Sequence, residues 1–321
     1  MRVVAQYPAE NQPLATDGRI ELAFNRYLLP STVTRQTFQL HVGSAQAGAV
    51  NSAIAYDPVA RIVTITPPST DGLQVDQAAV VVLDPGALQA IDGARLDPAQ
   101  ATTFTFPVVA GDGGAAPTQA PIDFCRDIAP IFMSSKCAGC HGPPLFYAGL
   151  SFSSLESIAE TAIGKAAHGA NTGPQSIPES PGPTFGVDMP IIDQGSGVGS
   201  GDPANSWLMY KVLLAVPPAT PSTAYTSCDG GAYTPTDVSR AHLAVQPALA
   251  DEVNDPERVN LSNQVLGREM PFPSDPAAPL QDSSTPLTVD ELERVSLWIA
   301  TATAADGGVP LLPSAACGCV Q

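Results

Sequence analysis

Basic residues are scarce in this chain. Lysine and arginine number 14 in 321 residues against 31 aspartates and glutamates, giving a formal net charge of -17 and a pI near 4.3. A field of that sign repels phosphate backbones and anionic headgroups, which excludes nucleic acid as a partner class. Long apolar runs are missing too. No stretch approaches the roughly 20 residues needed to span a bilayer, so no transmembrane segment is expected. An export signal of basic, apolar and small residues is absent at the N-terminus. With few lysines among 33 prolines and 27 glycines, short elements joined by many turns are expected and long helical bundles are not. No internal repeat is visible.

The length implies two domains. Residues 1–108 carry alternating or β-branched runs at Arg19-Ile20-Glu21-Leu22-Ala23-Phe24, Thr37-Phe38-Gln39-Leu40-His41-Val42, Arg61-Ile62-Val63-Thr64-Ile65 and Ala79-Val80-Val81-Val82-Leu83. Turn signals at Tyr56-Asp57-Pro58, Pro67-Pro68 and Asp92-Gly93 separate them from each other and from a last run, Thr103-Phe104-Thr105-Phe106. About seven short strands at this spacing predict an all-β sandwich. From Tyr7-Pro8-Ala9 through Ile20 to Phe24 and on to Phe106, the segment resembles the bacterial Ig-like domains of S-layer and cell-surface proteins. It holds no cluster of ligand-type residues, so a spacer or docking module is expected.

Residues 109–121, with Gly111-Asp112-Gly113-Gly114-Ala115-Ala116-Pro117, lack apolar periodicity and read as a linker. A second domain follows over 122–321. Helices are predicted at about Phe124 to Ser134, Leu155 to Ala167 and Asn205 to Leu214. A last one follows the capping box Thr288-Val289-Asp290-Glu291, with Leu292, Val295, Trp298 or Ile299, and Ala302 on its apolar face and Gly307-Gly308 at its end.

The chemistry sits at Cys137-Ala138-Gly139-Cys140-His141. The second cysteine adjoins the histidine, and the first lies one helical turn before it. Each sulfur can reach a different vinyl group of one porphyrin, and the imidazole then meets the iron as its proximal ligand. A zinc knuckle would want a second ligand pair, and Cys317-Gly318-Cys319 is one residue too tight. A redox dithiol would want a βαβ context, which is lacking. One covalently attached haem c is the expected cofactor.

Several further segments follow in family order: Asp127-Ile128-Ala129-Pro130-Ile131-Phe132, Gly149-Leu150-Ser151-Phe152, Gly201-Asp202-Pro203-Ala204-Asn205-Ser206-Trp207-Leu208 and Met270-Pro271-Phe272-Pro273. With the haem motif they make the second domain resemble the cytochrome c family, specifically the monohaem domains of bacterial surface proteins. The resemblance implies an all-α cytochrome c-like domain, here with long loop insertions around 168 to 200 and 215 to 265. It also implies that the methionine of the Met-Pro loop before the last helix, Met270, is the sixth iron ligand. A thioether is a soft, neutral ligand that favours Fe(II), and the prolines beside Met270 stiffen its loop. Met189, in Asp188-Met189-Pro190, and His168 are the alternatives. Met133 lies too close to the motif to cross the haem, Met209 reads as core, and His41 and His242 as packing or surface residues. The carboxylates Asp251, Glu252, Asp255 and Glu257 could bind an ion or form a solvated face.

Cys125, Cys228, Cys317 and Cys319 remain, and in an exported chain disulfides are the default. Crossing of the first and last helices in the family implies a bond from Cys125 to Cys317 or Cys319, with Cys228 taking the other. The expected function is an exported electron carrier, periplasmic or at the cell surface, with a lipid anchor on a leader outside this chain. Its expected partner is a redox protein with a basic docking face. The alternatives are a haem enzyme or sensor with an open sixth site, and a surface assembly subunit joined through the Ig-like domain.

Overall fold

In the computed structural model of the chain, the described residues are 1–68, 72–111, 122–133, 136–167, 185–186, 188–195, 201–218, 225–226, 232–233, 243, 256–265, 269–271, 286–301, 312 and 317. The chain divides into two compact units, Met1–Gln119 with Ser239–Val245, and Ala120–Val238 with Gln246–Gln321.

Eight strands occupy the described part of the first unit. They are β1 (Val3–Tyr7), β2 (Leu14–Ala15), β3 (Ile20–Phe24), β4 (Phe38–Val42), β5 (Ala53–Asp57), β6 (Ile62–Thr66), β7 (Ala78–Leu83) and β8 (Thr103–Val109). One sheet runs β1-β3-β6-β5 and the other β2-β8-β7-β4. Pairing is antiparallel except for β2 on β8, where Leu14 lies opposite Val108 in parallel. Strict alternation in β8 buries Phe104, Phe106 and Val108 while the residues between them face water. Central β3 is buried along its whole length. The sheets meet where Phe24 of β3 packs edge-on against Phe38 of β4, with ring centroids 6.2 Å apart. Each such buried Leu, Ile or Phe contributes about 1.5–3 kcal/mol.

Two polar residues inside this unit are satisfied locally. Glu21 on β3 accepts from Arg19 Nε at 2.8 Å and from the Leu243 backbone N–H at 3.3 Å. His41 on β4 has Nδ1 2.7 Å from the Ala47 carbonyl, a packing role. Val109 ends β8, and residues 112–121 of the expected linker lie outside the described residues.

The second unit corrects the expectation of an all-α domain. It contains an antiparallel pair, β9 (Tyr225–Thr226) with β10 (Ala232–Tyr233), and bridges from Ile163 to Ile192 and from Ala166 to Pro190. Its described helices are short: α1 (Ala129–Phe132), α2 (Leu155–Thr161), α3 (Trp207–Leu213), α4 (Pro256–Gln264) and the 13-residue α5 (Val289–Thr301). With the eight strands of the first unit, the described chain is largely β.

The reasons are local. Helix α2 stops at Thr161 because Gly164 takes φ +64° and the chain turns into bridge pairing. The stretch predicted as one helix from Phe124 opens as a π turn over Phe124–Ile128 and yields a single α turn. Pro203–Asn205 forms a 3-10 turn, capped by Asp202, before α3 begins.

Helix α5 starts on reciprocal bonds. The Thr288 N–H donates to Glu291 Oε2 at 2.8 Å, and the Glu291 N–H donates to Thr288 Oγ1 at 3.3 Å. Its inner face buries Leu292, Val295, Trp298 and Ile299. A disulfide joins Cys125 to Cys317 across 192 residues. Cys228 and Cys319 lie outside the described residues, as do Asp251, Glu252 and Asp255. Glu257 lies on α4, buried, and accepts from Asn260 Nδ2 at 3.0 Å.

Candidate functional site

The segment leading into the cysteine motif is fixed before the motif begins. Asp123 caps the π turn by accepting from the Arg126 N–H at 2.8 Å. Asp127 then accepts from the Asp123 N–H, from Arg126 and from Arg294 of α5. Lys136, the residue before Cys137, is held by both carboxylate oxygens of Glu291 at 2.8 and 2.6 Å. Two ion pairs thus tie the approach to the motif onto α5. Aromatic packing continues the connection: Trp298 meets Phe132, Phe132 meets Phe152 at 4.9 Å, and Phe152 stands edge-on to the His141 ring at 6.0 Å.

Within the motif, the N–H groups of Cys140 and His141 both donate to the Cys137 carbonyl, at 3.2 and 2.9 Å. That turn brings Cys137 and His141 to one side. Glycine is required directly after the histidine, since a Cβ at Gly142 would lie 2.6 Å from the Ala138 carbonyl oxygen. Both cysteines are free thiols; Cys137 is buried and Cys140 half-buried. Burial pushes the Cys137 thiol up to about 12.

His141 is 9% exposed, and its Nδ1 lies 2.9 Å from the Tyr147 carbonyl. A carbonyl only accepts, so Nδ1 carries the proton and Nε2 keeps its lone pair for a metal. Burial is the main cause that lowers the His141 pKa, the Tyr147 hydrogen bond opposes it, and the positive charge of Lys211 lowers it further. The ring is therefore a neutral ligand at neutral pH.

Cys137, Cys140, His141 and Met270 line one cavity, which holds about 990 Å3 of empty space with its open mouth included. Leu150, Phe152, Ile191, Trp207, Leu208 and Val212 supply apolar wall, with Lys136 and Lys211 as its two cations. Helix α3 reaches this wall because the Trp207 and Leu208 N–H groups donate to the Pro190 and Ile191 carbonyls, both at 2.9 Å. The Tyr210 hydroxyl donates to the Ala204 carbonyl at 2.9 Å.

The other ligand candidates fall elsewhere. Met189 is buried with its carbonyl accepting from the Ala167 N–H at 2.8 Å, and it is not part of the cavity wall. Met209 is fully buried core, and Met133 is also away from the wall. His168 and His242 lie outside the described residues. Among the described residues no group of three or more His, Cys, Asp and Glu converges as a metal-ion cluster would. A donor set of two free thiols, an imidazole with Nε2 available and a thioether on an apolar cavity is one that a c-type haem fits.

Sequence reasoning missed Lys136, Lys211 and Tyr147. Lys136 was legible as the neighbour of Cys137, and Lys211 as a lone cation in the apolar run from Trp207 to Leu214. Nothing in the sequence marks the carbonyl of Tyr147.

No protein-family model matches the chain, and neither does any curated protein sequence. Among solved structures, residues 31–844 of the S-layer protein SbsC align at 14% identity and a TM-score of 0.26, over 37% of this chain and 14% of that one. The N-terminal part of SbsC aligns at 13% and 0.25, over 40% of this chain and 26% of that one. The copper-resistance protein PcoC of Escherichia coli aligns at 15% and 0.24, over 34% of this chain and 99% of that one. At TM-scores this low they assign neither family nor function. Among the described residues no helix is long and apolar enough to cross a membrane.

Proposed function

We propose that this chain is an exported c-type cytochrome carrying single electrons on one covalently attached haem. The observation that carries the reading is the convergence of Met270 with Cys137, Cys140 and His141 on one apolar cavity. The two cysteines would hold the porphyrin through thioether bonds, and His141 and Met270 would hold the iron. When bound, haem supplies reversible one-electron chemistry at its iron.

The chain's own residues define that site. The Tyr147 carbonyl keeps the proton on His141 Nδ1 and fixes the ring. Phe152, Ile191, Trp207 and Leu208 give the cavity an apolar wall against which a porphyrin would pack. A thioether in the sixth position leaves no place for a substrate, which favours a carrier over an enzyme. The Cys125–Cys317 disulfide supports an oxidising compartment, periplasmic or cell-surface. A net charge of -17 suits a partner with a basic docking face. The β unit serves as spacer or docking module.

The test is a visible spectrum of the purified chain, oxidised and reduced, with an alkaline pyridine spectrum to identify haem c, repeated on Met270→Ala. Thioether-bound haem with a near-infrared sulfur-to-iron band that disappears in the variant supports the reading. A chain that acquires no haem under conditions of c-type maturation overturns it, and a high-spin native spectrum overturns the role of Met270.

A further inference from the structure

The loop after the cysteine motif is shaped by its backbone rather than by its side chains. Residues 137–155 include no Asp, Glu, Lys or Arg, so the loop has no ion pair of its own. Phe146 and Tyr147 are 47% and 51% exposed, so burial of those side chains does little to hold it. The Leu145 and Phe146 N–H groups donate to the Gly142 carbonyl at 2.8 and 3.0 Å, and the Tyr147 N–H donates to the Cys140 carbonyl at 3.3 Å. Phe146 and Ala148 both take the left-handed conformation, with φ of 42° and 58°. We infer that these two residues, one on each side of Tyr147, are positioning residues whose left-handed backbone aims the Tyr147 carbonyl at His141 Nδ1. The purpose of the pair, though not its geometry, rests on the haem reading.

A residue with a Cβ is disfavoured in this conformation because the Cβ crowds the following carbonyl oxygen, and a bulky residue is disfavoured most. Two such residues within three positions persist only where surrounding contacts over-determine them. Those contacts are present. The Gly149 N–H donates to the Phe146 carbonyl at 2.9 Å, the Leu150 N–H to the Tyr147 carbonyl at 3.2 Å, and the Phe152 N–H to the His141 carbonyl at 2.7 Å. The Tyr147 oxygen thus accepts from Leu150 with one lone pair and from His141, at 2.9 Å, with the other. That oxygen belongs to the peptide plane that the φ of Ala148 orients against the bonded segment after it, and Phe146 orients the plane before. With both ends of the loop bonded, a right-handed Phe146 or Ala148 would turn these planes and take the oxygen off the ring. The consequence is chemical: a neutral imidazole free in water carries its proton mainly on Nε2, and the Tyr147 bond moves it to Nδ1.

The variants that test this are Phe146→Val and Ala148→Val, whose β-branched side chains resist a left-handed backbone, against Phe146→Asn and Ala148→Gly, which accept it. Leu145→Val is the control, since Leu145 is exposed like Phe146 but has no positive φ. The first readout is the His141 tautomer in haem-free protein at mildly alkaline pH, from the imidazole nitrogen chemical shifts, with the α5 amides as a control for folding. Wild type, the control and both accepting variants are expected to keep the proton on Nδ1. Valine at 146 or 148 is expected to shift it toward Nε2 and to speed exchange of the Leu150 amide about tenfold with α5 unchanged. The second readout is the reduction potential of haem-loaded protein. Loss of the Nδ1 bond makes the imidazole a weaker donor, so valine at 146 or 148 should raise the potential and the accepting variants should leave it unchanged.

A wild-type chain with its proton on Nε2, valine variants at 146 and 148 that keep it on Nδ1, or accepting variants that lose it would each overturn the assignment. If Ala148→Val, which adds bulk at the cavity wall, does not fold, Phe146→Val decides, because that exposed side chain gives up little packing. A wild-type chain that never takes up haem overturns the functional reading instead, and the haem-free tautomer alone then decides the roles of Phe146 and Ala148.

Discussion

Asp127 and Arg294 form an ion pair at 3.1 Å between side chains that are each 1% exposed, although 167 residues separate them. Together with Lys136 and Glu291, they join the segment before the cysteine motif to α5. Removing one partner leaves a buried charge uncompensated. Asp127→Asn should therefore destabilise the second unit by about 3–5 kcal/mol. Asp127→Asn combined with Arg294→Met should recover a large part of that loss. Denaturant unfolding followed at Trp298 measures both, and an additive double variant would contradict the coupling.

The Cys125–Cys317 bond constrains the unfolded chain over a long loop. Replacing both cysteines with serine should lower stability by about 2–4 kcal/mol. Melting curves with and without reductant should show the same drop in the wild type and none in the variant. An identical response of both proteins to reductant would contradict it.

In haem-free protein the two motif thiols differ. Cys137 is buried with its thiol pushed up to about 12, whereas Cys140 is half-buried. The thiolate is the nucleophile, so iodoacetamide at pH 8 should modify Cys140 first and Cys137 only as the protein opens. Peptide mass spectrometry over time reads the order, and equal rates would mean that the motif is open without haem.

His141 carries a pH dependence of defined sign. Its pKa is lowered in the folded state, chiefly by burial, from an ordinary 6.5. Between the lowered value and 6.5 the unfolded chain binds the extra proton and the folded chain does not, so stability rises with pH across that window. The haem-free protein should lose stability as pH falls below about 6.5, and His141→Gln should flatten that slope. A slope left intact in the variant would assign the dependence to other groups.

Much of the first unit was legible because strand periodicity is a local property: the runs around Ile20, Phe38, Ile62, Val80 and Phe104 all lie in strands. The capping box at Thr288 was legible for the same reason. The second unit was less so. Glycine and proline punctuation shortened its helices, and pairing such as Ile163 with Ile192 depends on partners far along the chain, which periodicity cannot reveal. The expectation of an all-α domain failed on those pairings.

The sequence by itself determined the donor types and the one-turn spacing of Cys137, Cys140 and His141, because a five-residue motif needs only local geometry. The resemblance read from the sequence favoured Met270, and the tertiary structure adds that Met270 shares a cavity wall with Cys137, Cys140 and His141. Met189 and Met270 share a Met-Pro dipeptide, yet Met189 is packed away behind its bond to Ala167 while Met270 is bonded to the Lys211 carbonyl on the cavity wall. The His141 tautomer was decided in the same way, by a backbone carbonyl whose position depends on how the loop after the motif closes. The type of a donor atom is a property of its side chain, whereas its placement depends on backbone contacts made only once the chain is folded.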